Sequence, residues 1–189
     1  MSKIKFIPLI EEIHRQSKKV SSDLPFHATG IEKQLQEALS YEFRKAAKPV
    51  EAIREFYAEI YYKDFPVKDY RPDFIVFPDK NWKLDKTLII ETKFGSLKEL
   101  ASGREELFRY LYSAQQSTYK EMRDAEFGLL IWWESMGTDM PAGGSKADRQ
   151  TLLDIDTAEY IARDFQVVVE LWKVDDLKRK KFKKSFSIS

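Results

Sequence analysis

The chain has 189 residues, with 32 lysines and arginines against 31 aspartates and glutamates and no cysteine. This length favours a single domain, since a chain of this size buries roughly 70% of its unfolded surface. The lack of cysteine excludes a disulfide scaffold, a thiolate zinc site and a cysteine nucleophile. The longest apolar run, residues 129–133, is far shorter than the ~20 residues of a membrane-spanning helix, and the charged start is unlike a signal peptide. We therefore expect a soluble, cytoplasmic protein with no membrane partner.

The formal net charge of +1 conceals an uneven distribution. Residues 173–189 contain seven basic and two acidic residues, a balance of +5, whereas the rest of the chain carries −4. A basic tail of about residues 175–189 is typical of segments that contact phosphates without reading sequence. A solvated chain end has the same composition, so the tail alone does not decide between the two. A net charge near zero therefore does not exclude nucleic acid as a partner.

The N-terminal third is predicted to be helical. Residues 1–28 are expected to form a helical extension of one domain that spans residues 1–189. From residue 29 to about residue 47, and again from residue 50 to about residue 62, apolar residues recur at the three- and four-residue spacing of a helix. We therefore expect two helices before the first strand.

The rest of the chain alternates between apolar runs and helical stretches. Strands are predicted over residues 73–77, 87–93, 127–133 and 165–174, a long helix over about residues 97–125, and a short helix near residues 157–163. A loop rich in glycine covers residues 135–149. The predicted order is α(α)ββαβ(α)β, which indicates an α/β fold with a mixed sheet flanked by helices.

Charged residues interrupt the two central apolar runs. Asp73 opens the first predicted strand, and Glu91 and Lys93 close the second. If these strands pair antiparallel, the start of one lies beside the end of the other, which brings Asp73 near Glu91. Glu91 and Lys93 are two residues apart and so share a face, while Thr92 points away. Two carboxylates at the end of an apolar sheet need a cation, and hard oxygen ligands suit Mg²⁺.

These residues resemble the signature of the PD-(D/E)XK nuclease superfamily. Seventeen residues separate Pro72-Asp73 from Glu91-Thr92-Lys93, and the surrounding elements match over roughly residues 29–174. The resemblance implies a restriction endonuclease-like core of the αβββαβ type. It also implies that Asp73, Glu91 and the carbonyl of Thr92 bind Mg²⁺, with Mn²⁺ as a substitute, and that Lys93 helps activate water. A plain ion pair of Lys93 is the alternative interpretation, but it does not explain why two carboxylates gather.

The family commonly adds a carboxylate from its first helix. Glu32 lies on the same helical face as Leu35 and Leu39, so the resemblance implies that Glu32 is a catalytic residue and metal ligand. A competing interpretation is a capping box with Thr29, in which Glu32 would bond the N-cap amide. Glu42 also projects toward the apolar stripe and is the second candidate.

One subgroup of the family carries a Q-x-x-x-Y motif on the helix after the lysine strand. Gln115 and Tyr119 match this motif and would lie on one helix face, so they are assigned as catalytic residues. Glu106 and Tyr110 fit another form of the motif, with glutamate in place of glutamine. The two pairs cannot both fill the same position.

The sequence thus predicts a Mg²⁺-dependent nuclease that hydrolyses DNA phosphodiester bonds in defence, repair or recombination. One alternative is a nuclease-fold DNA-binding or assembly subunit that is inactive alone, and another is an RNase. By resemblance, a homodimer or membership of a larger nucleic-acid-processing complex is expected. The sequence does not distinguish an endonuclease from an exonuclease.

Overall fold

The protein is built around a six-stranded mixed sheet. The computed structural model describes residues 4–24, 31–62, 65–134, 160–163 and 167–174. The helices are α1 (Ile7–Asp23), α2 (Ile31–Lys45), α3 (Leu97–Ala114) and α4 (Lys120–Arg123). The strands are β1 (Ala52–Arg54), β2 (Ala58–Tyr62), β3 (Phe65–Tyr70), β4 (Phe74–Val76), β5 (Leu88–Gly95), β6 (Phe127–Glu134), β7 (Tyr160–Arg163) and β8 (Val167–Lys173).

The strand order in the main sheet is β1-β4-β5-β6-β8-β7, and β2 and β3 form a separate antiparallel pair. β5 and β6 run parallel, whereas the other neighbours in the sheet are antiparallel. The parallel pair requires a crossover, and α3 supplies it. The predicted mixed sheet with flanking helices is therefore confirmed, and the four predicted central strands each appear.

Apolar side chains alternate between two layers across this sheet. Leu88 and Ile90 of β5 belong to the layer that also contains residues of α1 and α2. Ile89 belongs to the opposite layer, which contains residues of α3. β6 is buried on both faces, so its sequence reads as a continuous apolar run. Helix α1, expected as an extension, contributes fully buried residues such as Leu9 and Ile13 to the first layer.

The prediction of a second helix over residues 50–62 is wrong, because this segment forms β1 and β2. Glu55 lies between them with a φ of +47°, which a right-handed helix does not accommodate. β1 pairs with β4, with Ile53 opposite Ile75. The helical spacing spans the break at Glu55 and combines residues of two different short strands, so it does not describe either one. Ile53 on β1 remains 44% exposed. Residues 52–54 are therefore a strand because they pair with the free edge of β4.

The long helix predicted over residues 97–125 is divided in two. α3 ends at Ala114, and α4 begins at Lys120. Between them, the Oγ of Ser117 accepts a hydrogen bond from the backbone N–H of Tyr119 at 3.2 Å. Serine and threonine side chains compete with the helix for backbone groups in this way, which accounts for the interruption.

The short helix predicted near residues 157–163 is also wrong where the structure describes it. Residues 160–163 form β7, an edge strand antiparallel to β8. The predicted loop over residues 135–149 and the basic tail over residues 175–189 lie outside the described residues. No helix in the described part of the chain is long and apolar enough to cross a membrane.

A buried ion pair attaches α3 to the sheet. The guanidinium of Arg104 on α3 contacts the carboxylate of Glu170 on β8, with its Nε donating to Oε2 at 2.7 Å, and both side chains are fully buried. The indole N–H of Trp172 donates to the same oxygen at 3.0 Å. Charges removed from water are tolerated only when they are paired and hydrogen-bonded, so the loss of either partner is costly.

We expect Arg104→Met to lower the free energy of unfolding by about 3–5 kcal/mol, because it leaves the Glu170 carboxylate buried without its cation. The double variant Arg104→Met/Glu170→Gln is expected to recover much of this loss while it retains an acceptor for Trp172. Urea denaturation measures both effects, and Glu105→Gln, an exposed change on the same helix, is the control. A double variant no more stable than Arg104→Met would contradict this account of the pair.

Candidate metal and catalytic site

The strand register brings Asp73 and Glu91 together. β4 and β5 are antiparallel, with Phe74 opposite Ile90, so Asp73 immediately before β4 lies opposite Glu91. Glu91 is 2% exposed, and the charge of Asp73 contributes to its electrostatic environment. The two carboxylates are therefore close together, as predicted, at the end of the sheet where β4 begins.

Asp73 is held by the residue next to Glu91. Its Oδ2 accepts hydrogen bonds from the backbone N–H of Thr92 at 2.8 Å and from the Thr92 hydroxyl at 2.6 Å. The Thr92 hydroxyl also accepts from the amide Nε2 of Gln36 on α2, at 2.9 Å. The side chain of Thr92 therefore has a direct contact with a site carboxylate, in addition to the metal role that the resemblance implies for its carbonyl.

Lys93 lies among three carboxylates. Its Nζ is 2.8 Å from Glu91 Oε1, 2.8 Å from Glu106 Oε2 and 4.0 Å from Glu32 Oε1. Glu91 comes from the same strand, Glu106 from α3 and Glu32 from α2, so elements on both faces of the sheet supply charge to one ammonium. Lys93 thus lies at the centre of the cluster.

A glycine on α3 makes this arrangement sterically feasible. A Cβ at Gly103 would lie 2.6 Å from Cγ of Lys93 and 2.8 Å from Cδ1 of Leu130. Such distances are well below van der Waals contact, so any larger residue would push α3 from the sheet or displace Lys93. Gly103 therefore allows Glu106, one turn further along α3, to reach Lys93.

Of the two glutamates considered on α2, Glu32 contacts the site. Its Oε2 accepts a hydrogen bond from the backbone N–H of Phe94 at 3.1 Å. Glu42 instead pairs with Lys19 of α1 at 2.6 Å, and so connects the two helices away from the site. Thr29, the cap partner in the competing interpretation, lies outside the described residues.

The prediction that Gln115 and Tyr119 share one helix face is wrong. Gln115 is the C-cap of α3 and Tyr119 is the N-cap of α4, and both are exposed. The ring of Tyr119 packs against Phe56 with a centroid distance of 5.7 Å. The other pair, Glu106 and Tyr110, lies on one face of α3, and Glu106 contacts Lys93 at 2.8 Å.

Burial weakens the acidity of the site carboxyls. It raises the pKa of Glu91 well above the ordinary value of 4.5, and the charge of Asp73 adds to the effect. Burial also raises the pKa of Asp73, although the hydrogen bonds from Thr92 oppose it. The pKa of Glu32 is raised by burial against the opposing effects of Lys93 and the Phe94 amide. The site therefore favours protons or cations.

The basic and phenolic groups respond to the same charges. Burial works to lower the pKa of Lys93, but Glu91, Glu106 and Glu32 outweigh it and raise the value, so the side chain is an ammonium at neutral pH. Burial and the charges of Glu91 and Glu106 raise the pKa of Tyr110 to about 12. Burial also acts on Glu106, but hydrogen bonds with Lys93 and Glu91 lower its pKa overall.

The donor set fits a hard divalent cation. Oε2 of Glu91 is buried and has no hydrogen-bond partner among the described residues, and Asp73 lies beside it. In the described part of the chain no three Asp, Glu or His residues are grouped closely enough to hold a metal by themselves. Mg²⁺ does not need such a group, because it keeps several waters and is usually bound through one or two carboxylates. Asp73 and Glu91 meet that requirement.

Two contacts of the site were not found by sequence reasoning. Gln36 lies four residues after Glu32 and so shares its face of α2, but it is not part of the predicted site. The two-residue period of β5 places Thr92 on the strand face opposite Glu91 and Lys93, but it does not indicate that the Thr92 hydroxyl contacts both Gln36 of α2 and Asp73. The spacing of Gln36 from Glu32 is the one signal that was available in the sequence.

A comparison with protein families identifies the class of protein to which the chain belongs. A model of the PD-(D/E)XK nuclease superfamily matches residues 8–140. The chain belongs to the PD-(D/E)XK nuclease superfamily, which confirms the family and the fold class inferred from the motif. The match begins within α1, earlier than the residue 29 expected from the sequence. Members are in general hydrolytic nucleases that typically use divalent metal ions.

Comparisons with individual proteins add little to this assignment. A crystal structure of SSO0001 is similar to the chain at 21% sequence identity, with a TM-score of 0.37. The match covers 67% of this chain and 57% of that one, which is less than two thirds of its length. No curated protein matches the chain at a significant level.

The raised pKa of Glu91 predicts how stability depends on pH without metal. The folded state binds this proton more tightly than the unfolded chain does. Stability should therefore fall as pH rises from the ordinary carboxyl value through the higher folded value, by up to ~1.4 kcal/mol per pH unit. Glu91→Gln should reduce this slope, measured by urea denaturation in EDTA between about pH 5 and about pH 8.

Glu126→Gln is the matched control for this experiment. The hydrogen bond from Lys86, at 2.9 Å, lowers the pKa of Glu126, so the stability that Glu126 contributes is lost only as pH falls below the ordinary range. Its substitution should shift stability without changing the slope above about pH 5. An unchanged slope in Glu91→Gln would show that the carboxyl is not the group that binds the proton.

Proposed function

We propose that the protein is a Mg²⁺-dependent nuclease that hydrolyses phosphodiester bonds of DNA, with Mn²⁺ as a substitute for Mg²⁺. The observation that supports this most strongly is the convergence of Asp73, Glu91 and Lys93 at one sheet edge, with Lys93 2.8 Å from Glu91. These are the residues of the family motif, and membership of the family makes nuclease activity the first expectation.

The carboxylates provide the binding part of the site. Asp73 and Glu91, with the carbonyl of Thr92, would hold the metal, and Glu32 would complete the site from α2. A bound divalent cation would neutralise charge on the phosphate and polarise a water for attack. The water oxygen would form a bond to phosphorus as the bond to the leaving sugar oxygen breaks. The water would release one proton to solvent, and the leaving oxygen would take up one proton from solvent, so that the step balances.

Lys93 is best suited to act as a cation. Its raised pKa keeps the proton on the amine, so the side chain donates hydrogen bonds to the attacking water or to the phosphate as negative charge develops. Glu106 holds the ammonium at 2.8 Å and so acts through Lys93 on its position. The phenol of Tyr110, on the same face of α3, remains protonated and is a second donor for the phosphate.

Two alternatives have different requirements. A nuclease-fold subunit that binds DNA or assembles with partners would need no metal at Asp73 and Glu91. An RNase would use the same site on a different substrate.

DNA, a second copy of the chain and a larger nucleic-acid-processing complex are the partners that we propose.

We expect the purified protein to cleave DNA in the presence of Mg²⁺ or Mn²⁺, and Lys93→Ala to lower kcat by about 10²–10³-fold, since a preorganised donor is worth that much. Asp73→Asn, which keeps an acceptor for Thr92, should be inactive because it removes a metal ligand. The assay should compare linear, circular, single-stranded and branched DNA with RNA of the same sequence.

Lys86→Ala is the control for the lysine change. Lys86 lies just before β5, is exposed and pairs with Glu126, so its loss removes one positive charge without affecting the site. Equal cleavage rates for wild type and Lys93→Ala would refute the catalytic role of Lys93. Cleavage of RNA but not DNA would favour the second alternative.

Metal binding separates the enzyme from the inactive subunit. Titration with Mn²⁺ should give a saturable isotherm in the wild type, and Glu91→Gln should weaken it by at least about tenfold because a carboxylate ligand is lost. The control is Glu42→Gln, on α2 but paired with Lys19 away from the site. A wild-type protein that binds DNA but no Mn²⁺ would support the subunit.

A further inference from the structure

A chain of hydrogen bonds runs from α2 into the site behind the carboxylates. The amide Nε2 of Gln36 donates to the hydroxyl of Thr92 at 2.9 Å, and this hydroxyl donates to Oδ2 of Asp73 at 2.6 Å. Gln36 is 8% exposed and Thr92 is fully buried. The contacts are therefore shielded from water. Hydrogen bonds are electrostatically stronger in such a protein interior than in water.

The chemistry of the three groups fixes the direction of every hydrogen in this chain. An ionised carboxylate can only accept, so the single hydroxyl hydrogen of Thr92 must point to Asp73. The hydroxyl oxygen is then available as an acceptor for Gln36, which must present its NH₂ group and not its carbonyl. With the side-chain oxygen of a glutamate in that place, the hydroxyl hydrogen would have a competing acceptor on the opposite side.

These bonds bear on how Asp73 presents its carboxylate. Rotation of a carboxylate about its last torsion is soft, but Oδ2 receives two hydrogen bonds from Thr92, through the backbone N–H and through the hydroxyl. Among the described residues, the side-chain hydrogen bonds to Asp73 all use Oδ2, which leaves Oδ1 for a ligand from outside. The orientation of Asp73 is thus set from behind.

We propose that Gln36 is a positioning residue for Asp73, acting through the Thr92 hydroxyl, whose proton it directs onto Oδ2. The inference rests on the metal site of the proposed function. Gln36 lies one helical turn after Glu32, so α2 supplies both a candidate ligand and the group that orients another. Partners behind a metal ligand typically contribute 10–100-fold to metal affinity.

The experiment is Mn²⁺ titration of the full chain, with the dissociation constant as the readout and the thermal midpoint recorded for each variant. Thr92→Val, which keeps the shape but removes the hydroxyl, should weaken binding about tenfold, and Thr92→Ser should restore it. Gln36→Met should weaken binding by less, because the hydroxyl loses its direction but not its ability to donate. The double variant should match Thr92→Val, since Gln36 acts only through that hydroxyl.

Thr87→Val is the matched control. Thr87 lies just before β5, is 1% exposed, and its hydroxyl has no hydrogen-bond partner among the described residues. The same chemical change there should leave the Mn²⁺ dissociation constant unaltered. If the loss of a buried hydroxyl simply weakened the strand, both substitutions would weaken Mn²⁺ binding. The relay, by which we mean the hydrogen-bond chain from Gln36 through the Thr92 hydroxyl to Asp73, is broken by Thr92→Val but not by Thr87→Val.

The outcomes separate the relay from the metal site itself. No Mn²⁺ binding by the wild type overturns both proposals. Binding that survives Gln36→Met unchanged, or losses that add in the double variant, overturns the relay alone. If Thr92→Val does not fold, Gln36→Glu decides: the relay predicts weaker binding than in Gln36→Met, although an added carboxylate by its charge alone would strengthen cation binding, and equal or tighter binding overturns the relay.

Discussion

The burial of Glu91 beside Lys93 is the constraint on which the site depends. Glu91 is 2% exposed, and a carboxylate so far from water is stable only if it is paired, protonated or bound to a metal. Lys93 supplies one positive charge at 2.8 Å, but Glu91, Glu106, Glu32 and Asp73 together carry more negative charge than one ammonium can balance. Burial, and after it the charge of Asp73, raises the pKa of Glu91, and a divalent cation would compensate both effects.

The sheet topology brings these charges together. Antiparallel pairing of β4 with β5 sets Asp73 opposite Glu91, and parallel pairing of β5 with β6 sends the chain through α3. That crossover places Gly103 against Lys93 and carries Glu106 to the ammonium. α2 covers the other face and provides Glu32. Charged groups from both faces of the sheet therefore meet where β5 leaves its antiparallel neighbour.

Much of the fold was predictable because buried strands and amphipathic helices have strong patterns. β5, β6 and β8 each contain an apolar run of at least three residues, and α2 has a clear apolar stripe. The failures involve β1, β2 and β7, which read as helices, and the end of α3. β1 and β7 are edge strands whose identity depends on the open edges of β4 and β8, and those edges are formed by residues far away in the chain. Ser117 ends the long helix through a local hydrogen bond that periodicity does not report.

The residues of the site divide in the same way. Asp73, Glu91 and Lys93 were predictable from the sequence because charges that interrupt apolar strands are conspicuous. The two-residue period of β5 gives Glu91 and Lys93 a common face, and antiparallel pairing of β4 with β5 brings Asp73 to Glu91. Glu106 contacts Lys93, whereas Gln115 is the exposed C-cap of α3. This difference depends on where α3 ends and on how closely Gly103 packs against Lys93.

The sequence by itself determined the family, the central strands and the three charged residues of the motif, since these follow from local alternation and from the positions of charged residues at the ends of two successive apolar runs. Only the tertiary structure decided which helical carboxylates reach Lys93 and that Gln36 and the Thr92 hydroxyl support Asp73. The physical reason is that hydrogen bonds between α2, β4 and β5 depend on distances between elements, to within tenths of an ångström, and no periodicity within one element specifies them.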